Sequence, residues 1–402
     1  MSGRVWIASL GALVALRVAI PLVALAAEGH DLPGLPLYTY EPLRGDATGF
    51  YAEARELIST AVGPAGAVAA LILCVGAWLV WRLRPVWKAL VAGALAVSLA
   101  ATALVLDTVP AGAAVVGWPL LWSIPLFPLR VLGVLDDDLA FAVGLPIMLA
   151  ANAVTVVATA VIGFRASGRR WIGVAAAALF AMWPLLSRLL AGPSAWENGQ
   201  WHADVGLHLY TEPLSNALVT TAIALLLGSR LDETRLALAG VLLGYATVVK
   251  VSNGLFAAVA VALVAQRVGL RRVLPFALGG LAFAPLAAVY WPKGYPAIEN
   301  VPGFSLAQAS RSWGADTLVF DPRTVALLLP LAVLGVLALR TWTAALLVGV
   351  IATNVGLYTF YEHTHLHPRF LYAMLPALFV LEAAGAALVI RKVSGVRQTR
   401  GL

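Results

Sequence analysis

Apolar runs near 20 residues, separated by short polar breaks, recur along the whole chain. Each is long enough to cross roughly 30 Å of hydrocarbon as a helix. Twelve such runs are predicted as spanning helices: about 5–27, 63–81, 89–108, 139–163, 171–190, 212–229, 235–252, 254–267, 272–291, 324–340, 343–361 and 370–390. A further run, 112–135 ("GAAVVGWPLLWSIPLFPLRVLGVL"), is equally apolar. Its Pro119, Pro125 and Pro128 argue against a regular crossing, so it is predicted as an interfacial or re-entrant exterior segment. The pattern predicts an all-α polytopic transmembrane helical bundle of about 12 spans. It forms one domain over 1–402, with no separate soluble domain and with amphipathic interfacial helices in its exterior loops.

Composition agrees: 61% of residues are hydrophobic and 12% charged, and the mean hydropathy is +0.88. Charge adds an orientation. With the N-terminus in the cytoplasm, the cytoplasmic turns hold 17 of the 27 basic residues and only two acids, Asp232 and Glu233. The exterior loops hold nine basic residues and 17 of the 20 acids. This is the positive-inside asymmetry of a multi-pass protein, here of the plasma (inner) membrane, with both termini cytoplasmic. The net charge of +7 therefore reflects topology, and short scattered basic turns give no support to nucleic-acid binding. The single cysteine, Cys74, excludes an internal disulfide. The apolar start has small residues at Ala24, Ala26 and Ala27, as a signal peptide does, but Arg17 in mid-run argues for a retained first helix.

Polar chemistry is concentrated outside, in 28–62, 107–138, 191–211 and 292–323. In the first of these loops, Phe50, Tyr51, Ala54, Leu57, Ile58 and Val62 share one helical face, while Glu53, Arg55 and Glu56 take the other. This predicts a helix lying in the outer interface. Asp46 sits at or just before its start, where an acid is a favoured N-cap.

The stretch "GDATGFYAEARELI" resembles the first-loop signature of the C-type (GT-C) glycosyltransferases: a carboxylate soon after the first span, then an aromatic-containing helix. "LHLYTEPLSNALVTTAIALLL" (208–227) is similar to the start of that family's middle helix, and "HTHLHPRFLYAMLPALFVLEAAGAALV" (363–389) to the start of a late one. The chain departs from the family in lacking the soluble C-terminal domain of its larger members and in the apolarity of 112–135. The resemblance implies a polytopic enzyme that moves a sugar, of mannose or arabinofuranose type, from a polyprenyl-phosphate donor to a glycan or glycolipid acceptor at the outer membrane face. It maps the catalytic acid onto Asp46, as the base that takes the acceptor proton in one inverting displacement. It also implies an acid in the second exterior loop. Asp136 and Asp137 are preferred, with Asp138 read as the cap; a plain helix start is an equal reading.

For the donor phosphate the candidates are Arg369, which meets the family pattern, then His367, Arg188 and Arg17. Arg17 has a structural alternative, an ion pair with Glu382, the only other acid or base at comparable depth. Lys250 is expected to snorkel to the interface. Tyr51, Glu197, Trp201, His202 and Glu212 are candidate substrate contacts. No cofactor is required and no metal site is assigned, although His363, His365 and His367 keep a divalent cation open. Two other functions fit a many-span chain: a transporter or flippase for a lipid-linked glycan, and an O-antigen-type polymerase or ligase. The first calls for polar residues at mid-membrane; the second needs no acid at position 46.

Overall fold

The computed structural model describes residues 1–26, 46–110, 115–191, 209–294, 303–313, 322–362 and 368–394. Every regular element among them is helical, apart from one isolated antiparallel bridge between Phe304 and Tyr361. The helices are α1 (Gly3–Ala26), α2 (Asp46–Ala61), α3 (Pro64–Arg82), α4 (Val86–Asp107), α5 (Gly117–Val131), α6 (Asp137–Ser167), α7 (Arg170–Ala191) and α8 (Thr211–Leu226). They continue with α9 (Glu233–Val249), α10 (Asn253–Val268), α11 (Leu274–Leu281), α12 (Ala284–Gly294), α13 (Gln308–Ser312), α14 (Pro322–Ala338), α15 (Thr341–Thr359) and α16 (Leu375–Val393). A 3₁₀ turn, Pro368–Met374, leads into α16.

All twelve apolar runs are helical. Among the described residues, seven stretches are long and apolar enough to cross a membrane: Gly3–Val23, Pro64–Arg82, Val86–Asp107, Asp137–Ser167, Leu274–Lys293, Thr341–Thr359 and Arg369–Val393. The run predicted at 272–291 is broken between α11 and α12, just before Pro285, whose missing N–H suits a helix start. Small residues let helices approach closely, as membrane bundles require. A side chain at Gly240 or Gly244 of α9 would strike the backbone of α11, and one at Gly335 of α14 that of α16.

The segment 112–135 folds as α5, whose 15 residues span only about 22 Å. It serves as a buttress. Trp118, Trp122 and Leu126 are buried and join Phe50, Tyr51 and Ile58 of α2, Leu145 and Met148 of α6, and Tyr210 in one apolar cluster. Trp118 and Trp122 stack at 5.1 Å. The predicted inner face of α2 is buried, with two corrections. Val62 lies beyond the helix and is exposed. Glu53, expected to face out, is fully buried against the Tyr290 hydroxyl, which α12 brings over that side of α2.

The bundle has two chemically distinct ends. α6 carries Asp137 at one end and Arg165 about 42 Å away at the other. Arg165 meets the carbonyl of Ala224 near the end of α8, and Arg170 donates to the Met1 carbonyl at 3.3 Å. Arg169, Arg340 and Arg391 line one small cavity at this same end. Met1 and the end of α16 therefore lie together, with a basic surface, opposite the end that holds Asp46.

Candidate active site

At the other end, three elements far apart in sequence meet. Asp46 is the first residue of α2, where the N-terminal backbone dipole favours a carboxylate. Its Oδ2 accepts from Nη2 of Arg369, which the 3₁₀ turn presents. The pair is asymmetric: the Asp46 side chain is 55% exposed and that of Arg369 only 5%. Nε and Nη1 of Arg369 are buried without a hydrogen-bond partner among the described residues. The guanidinium lies 4.2 Å from the Tyr210 ring centroid and 5.2 Å from that of Phe370.

Glu212, in the first turn of α8, stands behind this pair. Its Oε1 lies 4.0 Å from Nε of Arg369 and 3.1 Å from Nζ of Lys250. Thr211 donates to its Oε2 at 3.4 Å. The Lys250 ammonium also lies 5.4 Å from the Tyr358 ring and 5.3 Å from that of Phe370. A buried charge is tolerated when paired, and here two cations share one buried acid, with Asp46 supplying the second negative charge from the rim. Lys250 therefore does not snorkel. It is buried because α9 ends at Val249 and the chain turns there, aiming the side chain at Glu212.

Below the Arg369 turn lies Arg17. It is buried, and its guanidinium donates to the Tyr372 hydroxyl and, at 3.2 Å, to Oδ1 of Asn152. Its Cζ sits 5.1 Å from the Phe180 ring centroid. The ion pair with Glu382 is not formed: Arg17 directs Nη2 at these neighbours, and Nε of Arg17 and Oε1 of Glu382 are each buried without a hydrogen-bond partner among the described residues. Asn216 donates to the Tyr372 carbonyl at 3.1 Å, so the turn carrying Arg369 is held at Tyr372 from two sides.

Asp136 is the N-cap of α6, accepting from the Leu139 amide at 2.7 Å. The cap is thus not Asp138, which is already within the first turn. The Tyr51 hydroxyl donates to the Asp136 carbonyl at 3.4 Å, and its ring lies 5.5 Å from Trp122. Burial, and then the nearby Asp137 carboxylate, push the Tyr51 hydroxyl pKa above its usual value. Tyr51 and the second-loop acids therefore meet as a brace between α2 and α6.

Among the described residues no group of three or more His, Cys, Asp or Glu is set to hold a metal ion. Glu197, Trp201, His202, His363, His365 and His367 lie outside the described residues. Arg188 falls in the last turns of α7, and its side chain also lies outside them. Sequence reasoning overlooked Tyr210, Phe370 and Tyr358 as partners of the buried cations. The aromatic–acid pairing in "YTEP" was the signal for the first. In comparisons with known proteins, the chain matches no family model and no curated protein.

Proposed function

We propose that the chain is a twelve-span membrane glycosyltransferase with a GT-C-like fold. It moves a sugar from a polyprenyl-phosphate donor to a glycan or glycolipid acceptor at the exterior face of the plasma membrane, with both termini in the cytoplasm. The observation that carries this reading is the Asp46–Arg369 pair. A half-exposed carboxylate sits on a buried guanidinium that has two further donors, Nε and Nη1, without a hydrogen bond among the described residues. With Nη2 released by Asp46, the Nη1–Nη2 edge of this guanidinium is suited to grip a phosphate through two parallel hydrogen bonds.

The donor phosphate competes with Asp46 for Arg369. Once Arg369 holds the phosphate, Asp46 is released at the rim to accept the proton of an acceptor hydroxyl. The acceptor oxygen attacks the anomeric carbon, and the bond from that carbon to the phosphate oxygen breaks. Polyprenyl phosphate leaves with the electron pair, stabilised by Arg369, and the sugar is inverted. Glu212 and Lys250 keep Arg369 in place.

The test is an assay of the purified chain with synthetic polyprenyl-phosphate sugars. Consumption of one donor, dependent on an added acceptor and with free polyprenyl phosphate as product, is the expected result. If no donor of the panel is consumed while the protein is folded, the transferase reading fails. Transport of an intact lipid-linked glycan, or polymerisation that survives loss of Asp46, would replace it with one of the alternatives.

A further inference from the structure

A cleft of about 810 Å³ opens at the end of the bundle away from Asp46. Four arginines line it from four places in the fold: Arg165 of α6, Arg235 of α9, Arg267 of α10, and Arg340, the residue before α15. Two of them are fixed by the end of α8. Arg165 donates to the Ala224 carbonyl, and Arg267 to the Leu226 carbonyl at 3.4 Å. These carbonyls close a helix C-terminus, which favours cations. The Arg267 guanidinium also lies 4.0 Å from the Trp342 ring centroid.

Negative charge is scarce here. Asp232 lies 3.5 Å from Arg235. The Arg340 side chain has neither a hydrogen bond nor an acidic partner among the described residues. A preference for basic residues on one membrane face accounts for solvated arginines such as Arg271 and Arg272, which line no part of this cleft. It does not account for four guanidinium groups from separate helices converging on one concavity. Their mutual repulsion is relieved by an anion whose oxygens each accept several N–H donors.

We propose that this cleft is a binding site for a phosphate-bearing anion, held chiefly by Arg267 and Arg340. The site lies at the helix ends, the level of lipid headgroups, so an anionic phospholipid and a soluble phosphate share the required chemistry.

Two arms separate these sources. In the first, native mass spectrometry of the full chain in neutral detergent is titrated with phosphatidylglycerol and with phosphatidylcholine. In the second, thermal unfolding is followed with millimolar inorganic phosphate. Preferential retention of phosphatidylglycerol assigns the site to a lipid headgroup; stabilisation by inorganic phosphate alone assigns it to a soluble anion. In either arm Arg340→Gln, a change at an exposed residue that breaks no side-chain hydrogen bond or ion pair among the described residues, weakens the effect by about fivefold, and Arg340→Gln with Arg267→Gln removes most of it. Arg271→Gln leaves it unchanged. The proposal is overturned if the wild type and the double variant behave alike in both arms, or if Arg271→Gln weakens binding as much as Arg340→Gln.

Discussion

Arg369 and Asp46, 323 positions apart, are joined by a direct ion pair. α2 is thereby latched to the turn that leads into α16. Arg369 contributes three things at once: it is buried, it holds the carboxylate through Nη2, and it keeps Nε and Nη1 without a hydrogen bond. A residue that only anchored a helix at the interface would need none of these.

Arg369→Lys keeps the charge but loses the planar fork. It is expected to weaken apparent donor affinity less than Arg369→Ala does, with the melting temperature changing little for Lys. The measurement is donor affinity and melting temperature for the three proteins. Unchanged donor affinity in the Ala variant would remove Arg369 from the phosphate site.

Glu212 is the charge on which the buried side of the site depends. Among the described residues, Glu212→Gln leaves Lys250 with no carboxylate partner and Arg369 with Asp46 alone. Breaking a buried pair from one side costs about 3–5 kcal/mol. Glu212→Gln combined with Lys250→Met removes both members and is expected to recover much of that loss. Unfolding of the single and double variants in one detergent checks it. A double variant no more stable than Glu212→Gln would show that the two charges are not coupled.

Much of this arrangement was legible in the sequence, and the reason is periodicity. The buried stripe of α2 repeats at three and four residues, and Phe50, Tyr51, Ala54, Leu57 and Ile58 are all inside. Glu53 broke the rule because helical amphipathicity assumes one covered face, whereas α12 covers the second with Tyr290. Lys250 was misread for a related reason. Its place at the end of an apolar run looks the same whether the side chain reaches water or a buried carboxylate 38 positions earlier. Arg17 had only one visible ionic partner in the sequence, Glu382. The partners it takes, Tyr372 and Asn152, are uncharged and distant, and no local pattern marks them. The Asp46–Arg369 pair was legible only as two separate candidates.

Gly117 offers a test of the buttress. A methyl group there would lie 2.6 Å from the Val249 amide nitrogen and 2.8 Å from the Val248 carbonyl carbon. These are backbone atoms next to Lys250, and they cannot swing aside. The Tyr245 hydroxyl also donates to the Gly117 carbonyl at 2.7 Å, fixing α5 to α9. Gly117→Ala is expected to destabilise by about 1–3 kcal/mol and to disturb Lys250. Gly356, within α15, has open space around it, and Gly356→Ala should be neutral or stabilising by up to about 1 kcal/mol. Melting temperatures of both variants decide it; equal behaviour would mean that α5 can shift without strain.

Asp46→Asn separates a chemical role from a structural one. As a first-turn acid, Asp46 contributes about 0.3–1 kcal/mol to α2. As the rim partner of Arg369 it is replaceable in part, because Glu212 remains 4.0 Å from the same guanidinium. Asn keeps the size of the side chain and can still accept a hydrogen bond from Arg369. What it cannot do is take up the acceptor proton, and loss of a general base lowers the rate by about 10²–10⁴-fold. The expected variant is therefore folded, melts close to the wild type, binds donor, and turns over at no more than about a hundredth of the wild-type rate. A purely structural Asp46 gives the opposite pair of readings: a lower melting temperature, with turnover per folded molecule intact. Turnover above a tenth of the wild-type rate in folded Asp46→Asn would leave Asp46 as a latch for α2 and place the base elsewhere.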